Sequence, residues 1–395
     1  VRTSMFCLVL LYWLCIPPVL AFHVTSNELD SSASAQQRLQ QVYFQVTPLG
    51  YSLDDILADP EKYHAFSLLN PAQRVLFREQ QAVWFFARLH NTSKFKQQLM
   101  LEYDFPMADK VEIYQRTETS GDIRLLSRSG NDFPYTERAL PYRSYVVSLQ
   151  LAANEQRDIF IRVQDAAVIP SELILWHYNA FISHSQDSAL LDGILQGILL
   201  LLAFHNLVQF FRLKARNHLY YSGFFISFAL IIATLNGMAF AMLWPGYPEI
   251  NQAILYIAVG TGLLFLNIFI HQTLKHLYTS QWRWFSHTSS FAAMLLLFSP
   301  LYASGEQRLH LLFLALGWVL TSNIVLAVRF SLAGQQQARA FVWACTFTLC
   351  TALLLTLSQA GYLNTGFDWL YMLQLLMLFS LALVSFGWQQ VELKP

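Results

Sequence analysis

From about residue 189 onward the chain carries seven apolar stretches, roughly 190–211, 219–243, 253–274, 285–303, 309–330, 340–363 and 368–389. Each is close to the ~20 residues that an α-helix needs to cross a bilayer, and the connectors are short. Within lipid every backbone N–H and C=O must be bonded inside the segment. This half of the chain is therefore expected to be a compact all-α bundle of seven transmembrane helices. Only 13% of the 395 residues are charged, against ~25% in ordinary soluble domains, and the charges crowd into residues 28–172. A formal net charge of zero gives no support for a nucleic-acid partner.

The cations orient the bundle. The first, third and fifth connectors carry Arg212, Lys214 and Arg216, then Lys275 and Arg283, then Arg329 and Arg339, and Lys394 follows the last span. The second, fourth and sixth carry only Arg308 against Glu249, Glu306 and Asp368. Lys and Arg favour the cytoplasmic side, so the odd connectors and the C-terminus are expected inside and the N-terminal half outside. Residues 1–21 agree: Arg2, an apolar core from Met5 to Leu20 broken by Pro17 and Pro18, and a cleavage site at Val19-Leu20-Ala21 read as a secretory signal. Leu14 before Cys15 is too bulky for a lipoprotein signal.

Residues 22–185 change period. Apolar-rich runs alternate and stop at turn signals: 42–48, 82–91, 98–105, 110–117, 143–151, 157–165 and 172–181. A short helix is expected after Ser52, which caps its first turn, and the Ser-Gly-Asp at 120–122 reads as a turn. The fold class is an all-β sandwich, jelly-roll-like, followed by the bundle at 186–391 and a stub at 392–395. Aromatics such as Trp84, Phe85, Phe86, Tyr103, Tyr114 and Trp176 read mainly as its core. With Cys7 and Cys15 in the signal and Cys345 and Cys350 in the sixth span, the sandwich has no cysteine for a disulfide or a metal.

No HExxH, GxSxG, SxxK or Gly-rich phosphate loop occurs, and scattered acids such as Asp54, Asp55, Asp104 and Asp132 read as turn and surface residues. No catalytic residue, metal site or cofactor is expected. The spans hold no acid or base near mid-membrane, which argues against an ion-coupled pump, and the last has no lysine for retinal. What remains are Asn206, Asn236, Asn267, His271, Ser322, Asn323, Gln359 and Gln374, groups that usually hydrogen-bond between helices. In the first span, 100° per residue puts His205, Asn206 and Gln209 on one side and the pair Gly193 and Gly197 on the other. The helix then has one tight and one polar protein-facing side. An intramembrane enzyme built on His205 or His271 would need an acidic or second-histidine partner, and neither has one at a fixed spacing.

The stretch GILQGILLLLAFHNLVQFFRLKARNHLYYSGFF, with Phe204-His205-Asn206, the basic turn Arg212–Arg216, Tyr220-Tyr221 and the later Asn236-Gly237, resembles the bacterial seven-transmembrane receptors with diverse intracellular signalling modules. AVWFFARLHNTS, and Gly121, Asp122 and Arg138 further on, resemble that family's extracellular jelly-roll domain. His205 departs from the aromatic or aliphatic residue more usual there. The resemblance implies a sensor: the outer domain, similar to carbohydrate-binding folds, binds a small, saccharide-like ligand, and the bundle passes the state inward. Ligand contacts are expected at Trp84, Arg88, Asp122 and Arg138, where the arginines offer bidentate bonds, and relay contacts at His205, Asn206, Gln209 and Asn236. The implied setting is the bacterial inner membrane with the sandwich in the periplasm. The implied partners are the lipid bilayer, a cytoplasmic histidine-kinase or diguanylate-cyclase module, and a second copy of the chain. The sequence ends at VELKP without such a module, which leaves two readings open: a receptor portion of a longer protein, or a receptor working through a separate partner. The competing function is a transport or envelope-assembly component with a periplasmic capture domain.

Overall fold

A computed structural model describes residues 24–29, 36–59, 63, 65–69, 81–117, 121–165, 173–274 and 280–332. The expected signal and the sixth and seventh spans lie outside these.

The N-terminal region is all β. Its strands are β1 (Asn27–Leu29), β2 (Gln36–Arg38), β3 (Tyr43–Pro48), β4 (Ser67–Leu68), β5 (Gln81–Asn91), β6 (Gln97–Tyr103), β7 (Lys110–Thr117), β8 (Ile123–Ser129), β9 (Tyr145–Leu151), β10 (Gln156–Gln164) and β11 (Leu173–His177). One sheet runs β4-β3-β5-β10-β7-β8, with β1 added in parallel to the end of β5, and the other runs β2-β11-β6-β9. Apart from the β7–β8 hairpin, each step from β5 to β11 changes sheet, the winding of an eight-strand jelly roll in which β2 is the first strand and β5 the second. Period-2 alternation aims Val83, Phe85, Ala87 and Leu89 of β5, Ile159, Ile161 and Val163 of β10, and Tyr145, Val147 and Leu149 of β9 into the space between the sheets. Helix α1 (Leu53–Leu57) follows β3. Its Ser52 and Asp55 form a reciprocal capping box, and Leu53 and Ile56 pack on the outer face of the larger sheet with Tyr43, Phe66, Trp84, Phe86 and Phe160.

The bundle begins earlier than the sequence suggests. Strand β11 ends at His177, and α2 (Tyr178–Leu213) starts at the next residue and runs for 36 residues. No linker separates the sandwich from the first span. Then come α3 (Arg216–Leu235), the short α4 (Met238–Met242), α5 (Pro248–Leu274), α6 (Ser280–Phe298) and α7 (Gly305–Leu332). Among the described residues, four helices are long and apolar enough to cross a membrane: α2, α3, α5 and α7. The expected second span at 219–243 is broken at Asn236-Gly237, where Gly237 takes φ +72° and starts α4.

Consecutive helices pack side by side around Tyr221, Phe225, Phe228 and Phe269, with the rings of Tyr221 and Phe269 stacked at 4.6 Å. Polar groups tie them together. Asn267 Nδ2 donates from α5 to Ser286 O and Ser290 Oγ of α6 at 2.9 and 2.7 Å, and Ser289 and Ser322 join α6 to α7. Among the described residues, α2 shows only part of the two-sided pattern. A Cβ at Gly193 or Gly197 would meet nothing within 4 Å, so no described helix approaches closely there. Of the three polar residues opposite, Asn206 is buried, Gln209 half-buried and His205 exposed.

The candidate sensing face and the sandwich–bundle junction

Paired residues of neighbouring strands share a face, so the register defines rows across the outer face of the larger sheet. One row is Gln45–Trp84–Arg162–Glu112–Arg128. The next is Tyr43–Phe86–Phe160–Tyr114, and beyond it Arg88–Asp158–Arg116. Glu112 is the centre of the first row. Arg162 Nη1 donates to it at 3.1 Å and Tyr114 Oη at 3.2 Å, and Lys110 Nζ and Arg128 Nε lie 3.4 Å away. Burial works against its charge, but hydrogen bonds and charges from Arg162 and Lys110 outweigh that and hold the carboxyl below its ordinary value. Burial, and then the Glu112 charge, push Tyr114 up to about 12, so it stays a neutral donor.

Trp84 sits in this row with no exposed surface, its ring 5.9 Å from Tyr114 and 5.8 Å below the Arg162 guanidinium. Its buried Nε1 and Gln45 Oε1 beside it have no hydrogen-bond partner among the described residues. Arg162 also donates to Leu49 O, fastening the start of the α1 segment over the row. Two rows away Arg88 grips Asp158 bidentately at 2.7 and 2.9 Å. Asp158→Ala should leave the Arg88 charge half-buried without this partner and cost about 1–3 kcal/mol. Chemical denaturation of the sandwich checks the value, and an unchanged midpoint would show the pair to be idle.

The structure thus brings Trp84 and Arg88 to one sheet face. Asp122 is exposed, beside Gly121 (φ +69°) at the β7–β8 turn. Arg138 lies elsewhere, at the junction with the bundle. Its guanidinium stands 4.5, 4.7 and 5.9 Å from the rings of Tyr135, Tyr145 and Phe240, and its Nη1 donates to the carbonyls of Tyr142 and Arg143 at 2.9 Å. Phe240 belongs to α4, so Arg138 holds the 135–145 segment against the bundle.

Further contacts complete the junction. Tyr135 N donates to Pro245 O at 2.8 Å, Asn251 Nδ2 to Asn131 Oδ1 at 3.0 Å, and Gln252 Nε2 to Asp132 Oδ1 at 2.7 Å. Arg143 reaches towards Asp104 of the sandwich and Asp192 of α2, 3.9 Å from each. Buried Asp192 accepts from Asn236 Nδ2 at 2.7 Å, and the neighbouring Gly237 brings the chain so close that a Cβ would lie 3.1 Å from Arg143 O. Asn236, expected as a relay contact, is joined here to a carboxylate at the sandwich end of the bundle. Asn206 is at the other end of α2, its Oδ1 3.4 Å from Nδ1 of buried His218 on α3. Asn206→Leu should therefore cost about 1–2 kcal/mol. Melting the variant in detergent checks the value, and an unchanged melting temperature would contradict the assignment.

Sequence reasoning missed Asp192, Arg143 and Glu102, and it read Trp176 as core, whereas Trp176 packs with Phe181 of α2 on the outer face of the smaller sheet. Asp192 lies at the edge of an apolar run, and Glu102 holds a polar place in an alternating strand, so neither stands out.

Two family models match the chain. One, described as 7TM diverse intracellular signalling, covers residues 188–388, and the other, described as 7TMR-DISM extracellular 2, covers 42–177. The comparison with curated proteins gave no match. The first model alone spans just over half of the 395 residues. The other covers the sandwich from β3 to the last residue of β11, and the first begins ten residues into α2. The chain therefore belongs to the seven-transmembrane receptors with diverse intracellular signalling modules, membrane receptors that carry an extracellular domain.

Proposed function

We propose that the chain is a non-enzymatic ligand sensor of the bacterial inner membrane. Its periplasmic sandwich binds a small, saccharide-like molecule, and its bundle relays occupancy to a cytoplasmic kinase or cyclase module, in the same chain or in a partner. The observation that carries this reading is the missing linker between β11 and α2, reinforced by the Arg143–Asp192–Asn236 contacts. A strand that becomes a transmembrane helix cannot shift without moving it. Ligand contact is assigned to Trp84, Arg88 and Asp122 on and beside the outer face of the larger sheet, with the α1 segment as the cover that must move. Arg138 is assigned to coupling at the junction. A ligand shifts the equilibrium only by its differential affinity for the two states, so binding must favour one position of β11. Isothermal titration of the detergent-purified chain with a panel of neutral and uronic-acid oligosaccharides tests the sensing step. Binding that Trp84→Ala weakens at least tenfold supports the face; binding untouched by Trp84→Ala and Arg88→Ala would move the site elsewhere.

A further inference from the structure

The outer face of the smaller sheet turns towards α2, and one carboxyl is sealed between them. Glu102 of β6 is 1% exposed. Its Oε1 accepts from Ser144 Oγ at 2.5 Å and its Oε2 from Trp176 Nε1 of β11 at 2.7 Å. Around it lie Met100, Val146, Ile174 and Trp176, with Phe181 of α2 and the half-buried Tyr142 packed against them. Among the described residues, the titratable and charged groups on this face are Asp104, the residue after its own strand, Arg38 of β2 in the same row beyond Ile174, Tyr142 and Arg143 from the approach to β9, and, from α2, Asp192 and His184, whose ring stacks on Trp176 at 4.4 Å. Three carboxyls, Glu102, Asp104 and Asp192, thus share the field of one guanidinium, Arg143.

We propose that Glu102 is a proton-binding site through which the receptor reads external acidity, its protonation leaving Arg143 to pair with Asp192 across the junction. The atoms allow both states without rebuilding the site. Protonated, the carboxyl donates to Ser144 Oγ and still accepts from Trp176. Ionised, it accepts from both and competes for Arg143, loosening the hold of the sandwich on α2 and Asn236. Burial, and then the Asp104 charge, raise the carboxyl from its ordinary 4.5 to about 7, against the hydrogen bonds from Ser144 and Trp176 and the charge of Arg143. The sign follows from the raised value. The stabilisation from the bound proton is complete below 4.5 and is lost as pH rises through about 7, so acid tightens the junction.

This inference needs no organic ligand, and its first readout does not depend on whether the bundle signals. Infrared pH-difference spectra of the full chain in bilayers should show a protonated-carboxyl C=O band that disappears with a midpoint near pH 7. Glu102→Gln should abolish that band; its persistence in this variant, or its absence from the parent, would overturn the proposal. Should Glu102→Gln not fold, two other changes shift the midpoint in opposite directions. Asp104→Asn should lower it and Trp176→Phe raise it, and shifts of the same sign or none would overturn the site. A second readout follows the junction. With Cys7, Cys15, Cys345 and Cys350 changed to serine, spin labels at Phe95→Cys and Leu301→Cys should change separation with the same midpoint. A separation that does not vary with pH would remove the link from proton to junction.

Discussion

Alanine at position 130 should prevent the sandwich from docking on the bundle and lower its stability by about 3 kcal/mol or more. Gly130 follows β8 with φ +142°, and a Cβ there would lie 2.1 Å from Asp109 O and 2.7 Å from both Asp109 C and Lys110 Cα. All three are backbone atoms of the adjoining chain, so no side chain can swing away. Overpacking of this kind costs about 1–3 kcal/mol, and the backbone conformation adds about 1–3 kcal/mol for any residue with a side chain. The next two residues are pinned at once: Asn131 N to Ala108 O and Asp132 N to Asp109 O, both at 2.9 Å, before their side chains reach Asn251 and Gln252. Relief of the clash must therefore move the docking loop or open the β7 edge. Gly121→Ala is the control. Its φ is +69° but the space is open, so only the left-handed conformation costs, about 1 kcal/mol. Thermal unfolding followed by near-ultraviolet circular dichroism separates them, and equal melting of the two variants would refute the clash.

Loss of Asp192 should weaken the junction from the membrane side. Asp192→Leu removes the 2.7 Å acceptor of Asn236 Nδ2 and takes from the largely buried Arg143 the less exposed of the two carboxylates that lie 3.9 Å from it. Removing one partner of a buried pair can cost about 3–5 kcal/mol. The 3.9 Å approach of Arg143 is loose, so the lower figure of about 2–3 kcal/mol is expected. Asp192→Asn keeps an acceptor for Asn236 and should recover part of the loss. A double-mutant cycle with Arg143→Met should give a coupling of about 1 kcal/mol. Strict additivity would show that Arg143 and Asp192 act independently.

The regular strands were legible because each is long enough to show its period. The run at 42–48 became β3, that at 110–117 became β7, and Ser52 capped α1 as expected. β1, β2 and β4, with two or three residues each, have no period to read, and β8, Ile-Arg-Leu-Leu-Ser-Arg-Ser, is an edge strand with too many exposed positions to look like one. The run at 172–181 hid the start of α2, because Trp176-His177-Tyr178 continues a strand-like pattern past the last strand residue. The polar side of α2 was legible as an angle alone. A wheel does not give the neighbour's position, and it is the packing of α3 that brings Asn206 beside His218. Glu102 was hidden by its alternation: it does point away from the sandwich core, but α2 covers the face it points to. The Asp192–Asn236 contact joins residues 44 positions apart and becomes visible only once α2 and α3 lie side by side.

In the proposed receptor the sandwich and the bundle move together through the β11–α2 continuity and the Arg143–Asp192–Asn236 contacts. Pulsed electron–electron distances between labels at Leu213→Cys and Arg329→Cys, at the far ends of α2 and α7, report that movement. They are measured in the cysteine-free background, in bilayers, with and without an oligosaccharide shown by calorimetry to bind. Binding should change the distance distribution, and Arg143→Met should abolish the change while leaving binding intact. An oligosaccharide that binds the sandwich and leaves the distribution unaltered would contradict the coupled movement.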